Sequence, residues 1–326
     1  MLRRPDSMRR WGVILAGGDG VRLRPLTRMI CGDDRPKQFC ALYGGATLLE
    51  QALARAGRSI PAGQLVVSLN RAHQEFYSRT MVDGPSQRVV QPRDRGTVPA
   101  ILSTLLVIGK EDPTASAAVF PSAHYYSDES VITEAVERAF DLARSEPDSV
   151  VLVGARPESP ELEYGWIEIG AAADRKPDSF WVTNLLEKPS EQMARLLFER
   201  GSLWNTFVMV GRVLTFVEMI CSAMPGLLRM FQESPIRRAP DEEIRIADSL
   251  YARLPHADFS GVLALETRRL IVHRLGHVTW SDLGDSDRAT AVLSGCGIES
   301  EWAKNWRARR HSAKSKSRVS PAPATT

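Results

Sequence analysis

No apolar run in this chain approaches the ~18 to 20 residues of a membrane-crossing helix. The opening residues contain Arg3, Arg4, Arg9 and Arg10 without the long apolar stretch and small-residue cleavage site of an export signal. A cytoplasmic protein is expected, with no membrane partner. Cysteine is scarce and scattered. Cys31, Cys40, Cys221 and Cys296 include no C-x-x-C pair, which excludes the common zinc patterns, and four in 326 residues do not make a disulfide framework. All four are read as free thiols. Internal repeats are absent, aromatics make up 7% of the chain, and neither charge sign dominates, with 42 Lys and Arg against 39 Asp and Glu. What remains is an ordinary globular composition, 43% hydrophobic and 25% charged, long enough to bury a large core.

The small net charge of +3 conceals an asymmetry. Lys304, Arg307, Arg309, Arg310, Lys314, Lys316 and Arg318 all follow the last acidic residue, Glu301; without these seven, 35 basic residues face 39 acidic ones. The stretch 303–326, ending in Ser320-Pro321-Ala322-Pro323-Ala324-Thr325-Thr326, reads as a disordered basic tail with no assigned role and no nucleic-acid partner. Its deletion is expected to be silent.

Among the features present, one stretch organises the rest. Val13-Ile14-Leu15-Ala16, of buried-strand character, breaks into Gly17-Gly18-Asp19-Gly20, followed by Arg22 and, further on, Arg35-Pro36-Lys37-Gln38-Phe39. Glycine lacks the Cβ that would hold a ligand away, so the amides of Gly17, Gly18 and Gly20 can lie against a base or a phosphate chain. Arg22 and Lys37 add positive charge. Two better-known glycine loops do not fit. A dinucleotide fingerprint needs a third glycine where Leu23 stands, and a P-loop ends in Gly-Lys-Ser/Thr.

Downstream the hydrophobic pattern alternates. Thr47 and Glu50 have capping-box spacing, with Leu49, Ala52, Leu53 and Ala56 behind them at helical intervals. Strands are expected at 64–69, 88–90, 115–120 and 150–154, and helices at 71–80, 100–108 and 131–143. Such alternation argues for a mostly parallel sheet covered on both faces, with ligands beyond the carboxyl ends of the strands. From Tyr164 the pattern turns to period two, over 164–170 and 180–185, as in antiparallel strands. A helix capped by Ser190, a strand at 203–210, helical patterns through much of 212–254 and strands at 269–273 and 277–280 complete the reading. The fold class is α/β: a Rossmann-like, mostly parallel mixed sheet with helices on both faces and a smaller antiparallel portion. After an N-terminal extension at 1–10, one domain is expected over 11–302, in halves of 11–155 and 156–302.

Seven separated motifs then agree. They are Leu15 with the glycines through Leu23, joined to Pro36-Lys37-Gln38-Phe39; Pro92 to Ala100; Pro121-Ser122-Ala123-His124; Tyr164-Gly165-Trp166-Ile167-Glu168; Glu187-Lys188-Pro189; Leu203-Trp204-Asn205; and Trp280-Ser281-Asp282-Leu283-Gly284. On these the chain resembles the sugar-1-phosphate nucleotidylyltransferases, and among them is most similar to the mannose-1-phosphate guanylyltransferases. The resemblance covers residues 12 to 284 and implies the nucleotide-diphospho-sugar transferase fold.

It also implies a reaction. The phosphate of a hexose 1-phosphate, mannose 1-phosphate first, attacks the α-phosphorus of GTP; pyrophosphate leaves and a GDP-sugar forms, with Mg²⁺ as cofactor. Arg22, Lys37 and Asp282 are implied to be catalytic. Leu15, Ala16, Gly17, Gly18, Gly20 and Arg22, with Pro92, Arg95 and Thr97, are implied to hold the nucleotide, and Gly165, Glu187, Lys188 and Asn205 the sugar phosphate. A guanidinium grips phosphate oxygens in pairs and a lysine supplies a mobile point charge, so these residue types suit the chemistry. A homodimer is left open.

One position departs from the pattern. The resemblance puts two aspartates on the metal, one matching Asp282 and the other standing where this chain has Ala123. Three readings follow: Asp282 suffices with the triphosphate, Asp128 substitutes, or the chain binds a nucleotide sugar without making it. Asp128 is better explained as a helix first-turn charge. The same chemistry with another sugar or base is a further alternative. His124 is left without a role, and Trp166, Trp204 and Trp280 are read as core.

Overall fold

Adjacent residues of the first strand point to opposite sides, and both sides are buried. Val13 and Ile14 are each 0% exposed yet belong to different apolar cores, as do Val66 and Val67 and then Leu152 and Val153. This explains the continuous apolar runs of the early strands: a sheet with helices on both faces needs no alternation. The computed structural model describes residues 9–80, 87–173, 177–234, 236–239, 243–298 and 300–317. Most of the expected N-terminal extension, 1–8, and the end of the tail, 318–326, lie outside them.

Strands β1 (Arg10–Leu15), β2 (Leu65–Asn70), β3 (Gln87–Gln91) and β4 (Ser116–Pro121) run parallel in the spatial order β3-β2-β1-β4. The remaining strands are β5 (Tyr125–Tyr126), β6 (Val150–Ala155), β7 (Gly165–Ala172), β8 (Ser179–Glu187), β9 (Leu203–Arg212), β10 (Arg237–Arg238), β11 (Glu243–Arg245), β12 (Leu270–Arg274) and β13 (Trp280–Ser281). Among the described residues eleven strands form one sheet, ordered β10-β11-β3-β2-β1-β4-β9-β6-β12-β8-β7, and β5 pairs with β13 apart from it. The smaller antiparallel portion belongs to the same sheet. β9 lies antiparallel between β4 and β6 and joins the two parts into one sheet.

Local signals place the helices. Thr47 and Glu50 form the expected capping box on Leu48–Ala56. Ser190 caps Glu191–Glu199, and Asp128 accepts the Ser130 amide at the start of Glu129–Ser145. Asp128 is thus a helix cap. The helix expected at 100–108 runs over Thr97–Glu111, because Val98 N donates to Ala257 O and Thr97 Oγ1 accepts from Phe259 N, tying its first turn to a distant segment.

The strand expected at 277–280 shrinks to Trp280–Ser281, and two further expectations fail. The helical reading of 212–254 misses β10 and β11, the latter parallel to β3. Charge hid β11: its Glu243 is 2% exposed and faces Arg245 and Arg88, at 3.1 and 3.8 Å. The second is the disorder expected from 303 onward, as far as residue 317. Glu301–Ser317 is a helix whose Ala303 is 0% exposed, whose Trp302 Nε1 donates to Leu42 O and whose Trp306 Nε1 donates to Asp287 Oδ1. It packs against a third apolar cluster that includes Leu23, Leu26, Ala123 and Leu283. Basic composition signalled disorder, but these few apolar residues share one helix face. No described helix is long and apolar enough to cross a membrane.

Candidate active site

The ends of β1 to β4 open into a cleft of about 690 Å³. Leu15, Ser68, Asn70, Gln91 and Pro121 line it from the carboxyl ends of the four parallel strands, where open α/β sheets bind ligands. Gly17 and Gly18 continue from β1. A Cβ on Gly17 would stand 3.3 Å from Gln91 Nε2, whereas Gly18 has open space around it. Gln38 Nε2 fixes this loop by donating to Ala16 O at 2.9 Å and Gly18 O at 2.8 Å. Gln91 is itself fixed: Tyr251 OH donates to its Oε1, and its Nε2 donates to Ser68 Oγ at 2.7 Å.

The opposite wall combines Thr97 with Glu187, Lys188, Phe207, His256, Asp258 and Ser260. Gly165 pairs with Glu187 across β7 and β8, and a Cβ there would lie 2.6 Å from Glu187 Oε1. Only glycine leaves the carboxylate its place. Burial raises the Glu187 pKa, opposed by a hydrogen bond from Ser260 and by Lys188. Asn205 is 7% exposed and stands behind the wall, its Oδ1 accepting from Phe207 N at 2.9 Å. That bond supports Phe207 at φ 59°, which lines the cleft beside the register shift between β6 and β9. Lys188 at φ 47° and Leu283 at φ 48° are also left-handed, so three of the four such non-glycine residues described surround this site.

Beside the cleft lies a charged nook. The register of β13 on β5, Ser281 opposite Tyr125, brings Asp282 next to the turn that carries Ala123 and His124. Lys37 Nζ donates to Asp282 O at 2.6 Å and Leu283 O at 3.2 Å. Burial pulls its pKa down to about 8, with Asp282 opposing and Arg22 and Arg288 adding to the fall. Gly20, at φ 57°, lies under it: a Cβ would meet Lys37 N at 3.1 Å. The Asp282 carboxylate folds over Gly284, whose Cβ would stand 2.8 Å from Oδ2, and its Oδ1 faces Arg288 Nη1 at 3.3 Å. Arg288 also reaches Glu161 Oε2 at 3.3 Å and lies 4.5 Å over the Tyr164 ring. Arg22 is exposed at the rim, paired with Glu163 at 2.8 Å.

His124 lines the cleft with its Nδ1 accepting from Trp280 Nε1 at 3.3 Å, and burial holds its pKa well below the ordinary value, so it is neutral. Trp166, Trp204 and Trp280 are 0, 4 and 5% exposed; Trp204 and Trp280 pack against Tyr164 and Trp166 against Trp204, as core.

The structure thus brings Leu15, Gly17, Gly18, Thr97, Glu187 and Lys188 into the cleft and Gly20, Lys37 and Asp282 into the nook. Ala16 lies beneath the loop, 1% exposed. Pro92 and Arg95 stand outside the lining, and Arg95 Nε donates to Tyr251 O at 2.9 Å while Arg93 and Asp94 face the cleft. Arg93 and Asp94 fall within the Pro92–Ala100 motif, and Gln91 directly precedes it. His256, Asp258 and Ser260 carried no sequence signal and reach the cleft only by folding.

A nucleotidyl transferase family profile matches residues 11–292. The mannose-1-phosphate guanylyltransferase of Escherichia coli K12 is 27% identical over 281 residues, and the alginate biosynthesis protein AlgA of Pseudomonas syringae pv. tomato is 30% identical over 282. Each match takes in 83% of this chain but only 57% and 56% of those relatives' lengths. Among solved structures, one described as a mannose-1-phosphate geranyltransferase from Thermus thermophilus is 28% identical, with a TM-score of 0.73 over 88% of this chain and 80% of that one. The profile spans both walls of the cleft and the nook beside it, and the chain belongs to the nucleotidyl transferase family.

Proposed function

We propose that this protein transfers GMP from GTP to mannose 1-phosphate, releasing pyrophosphate. The observation that carries the reading is the meeting of two half-sites, the glycine loop across the cleft from Glu187 and Lys188, with the Lys37 ammonium and Asp282 beside them. The reaction joins two polyanions, so its demands are alignment and positive charge. The sugar phosphate attacks the α-phosphorus as an ionised oxygen nucleophile and requires no general base, in keeping with a neutral His124. Lys37 supplies the fixed charge at the phosphates, Lys188 a second at the sugar phosphate, and Glu187 accepts from sugar hydroxyls.

Base choice rests on Gln91. With Oε1 engaged by Tyr251 and one Nε2 proton on Ser68, the second Nε2 proton is available to a keto oxygen such as guanine O6, and adenine presents a donor there. The donor set fits a magnesium ion that keeps water and phosphate oxygens and takes Asp282 as its one protein carboxylate. Among the described residues no group of three or more His, Cys, Asp or Glu could form a fuller cage. Bound there, the ion would neutralise charge on the triphosphate.

A second reading, a nucleotide-sugar binder without turnover, draws on Ala123 and on the Arg288–Asp282 pair. One experiment separates the two. Purified protein with Mg²⁺ is given each nucleoside triphosphate and a panel of hexose 1-phosphates, and pyrophosphate is measured. Release with GTP and mannose 1-phosphate supports transfer; binding of GDP-mannose with no release from any pair sinks it.

A further inference from the structure

The sequence suggests four separate thiols, yet folding brings two of them together. Cys31 Sγ and Cys40 Sγ lie 3.2 Å apart, Cys31 half-buried at the end of the helix Arg24–Cys31 and Cys40 buried just after the short turn Lys37–Phe39. A disulfide needs about 2.05 Å between sulfurs, so closure asks for roughly 1.1 Å of movement. The flanking residues permit it: Gly32, at φ 80°, ends the helix in a left-handed turn immediately after Cys31. We propose that Cys31 and Cys40 form an oxidation site, in which a peroxide converts the two thiols into an intrachain disulfide.

The two sulfurs differ as the two steps require. The hydrogen bond from Cys40 brings the Cys31 pKa down to about 7, with Arg35 helping and burial and Asp33 opposing. The same contact and burial push the Cys40 thiol up. Cys31 is therefore the attacking thiolate and the more accessible of the two. Its sulfur attacks one peroxide oxygen and the O–O bond breaks, leaving Cys31 as a sulfenic acid and releasing water once the leaving oxygen is protonated. The Cys40 sulfur then attacks that sulfur; the S–S bond forms, the S–O bond breaks, and a second water carries away the Cys40 proton. Two electrons pass from the thiol pair to hydrogen peroxide.

Closure would be felt at the nook. The ring from 31 to 40 contains Lys37, whose carbonyl accepts from Cys40 N at 3.0 Å, and Gln38, which holds the glycine loop. Shifting Cys40 toward Cys31 pulls on the segment that positions the Lys37 ammonium.

The test uses the full chain and no substrate. Reduced protein is treated with hydrogen peroxide, its thiols are counted under denaturing conditions, and its peptides are mapped. The expected result is a fall from four titratable thiols to two, restored by dithiothreitol, with the 31 and 40 peptides cross-linked. Cys31→Ser should form no cross-link, and Cys40→Ala should instead accumulate a sulfenic acid at Cys31 that dimedone traps. Four thiols remaining, or a cross-link that uses Cys221 or Cys296 or joins two chains, would overturn the proposal.

Discussion

Arg288 and Asp282 are ion-paired six residues apart, Nη1 to Oδ1 at 3.3 Å, so the carboxylate proposed to hold the metal already faces a guanidinium. Glu161 shares that guanidinium, also at 3.3 Å. Removing Arg288 should free Asp282. Arg288→Ala is expected to tighten Mn²⁺ binding about tenfold, on the scale of metal-neighbour substitutions, read by calorimetry without nucleotide. Ala123→Asp should tighten it as well. Because Ala123 is 5% exposed among apolar neighbours, that variant should lose ~3 kcal/mol of stability when no metal is present. Unchanged affinity in both variants would place the metal elsewhere.

Lys37 sets a pH limit. Its pKa of about 8 means that the ammonium is lost as pH rises through 8, so kcat/KM should fall above about pH 8. Stability moves the other way. Burial penalises the charged form, so the fold gains stability between the pKa of about 8 and the ordinary 10.5 and is less stable below it. Lys37→Met should cost about 10²–10³-fold in kcat. A flat kcat/KM profile to pH 10 would remove Lys37 from the chemistry.

Gly165 tests the sugar half-site. A methyl group 2.6 Å from Glu187 Oε1 must displace that carboxylate. Gly165→Ala is expected to raise KM for the sugar phosphate about tenfold, or ~1.4 kcal/mol, with KM for GTP unaltered. Equal effects on both substrates would show that Glu187 does not face the sugar.

The C-terminal helix should not be expendable. Deleting 303–326 removes the buried Ala303 and strips Trp306 from the cluster that contains Leu23 and Leu283, whose neighbours Arg22 and Asp282 are proposed site residues. A loss of ~2–4 kcal/mol is expected for removing buried apolar side chains, visible as a lower denaturation midpoint. A silent deletion would restore the expectation drawn from composition.

Much of this was legible beforehand where chemistry is local. Thr47 and Glu50 lie three residues apart and cap their helix whatever surrounds them, and the glycine loop follows its strand because Val13 to Ala16 are apolar and Gly17 is not. Asn205 shows the limit. Its residue type suits a sugar hydroxyl, and only the folded backbone shows that its oxygen also holds Phe207.

The sequence alone determined the α/β class, the glycine loop and the residue types at the two proposed half-sites, because spacing and backbone freedom are properties of neighbouring residues. Tertiary structure decided which charges meet. That Arg288 faces Asp282, that His256, Asp258 and Ser260 complete the cleft, that Cys31 touches Cys40 and that a basic tail becomes a packed helix all depend on strand register and on contacts between distant segments. Periodicity cannot report those contacts, because an ion pair or a thiol pair is set by distance in space rather than by distance along the chain.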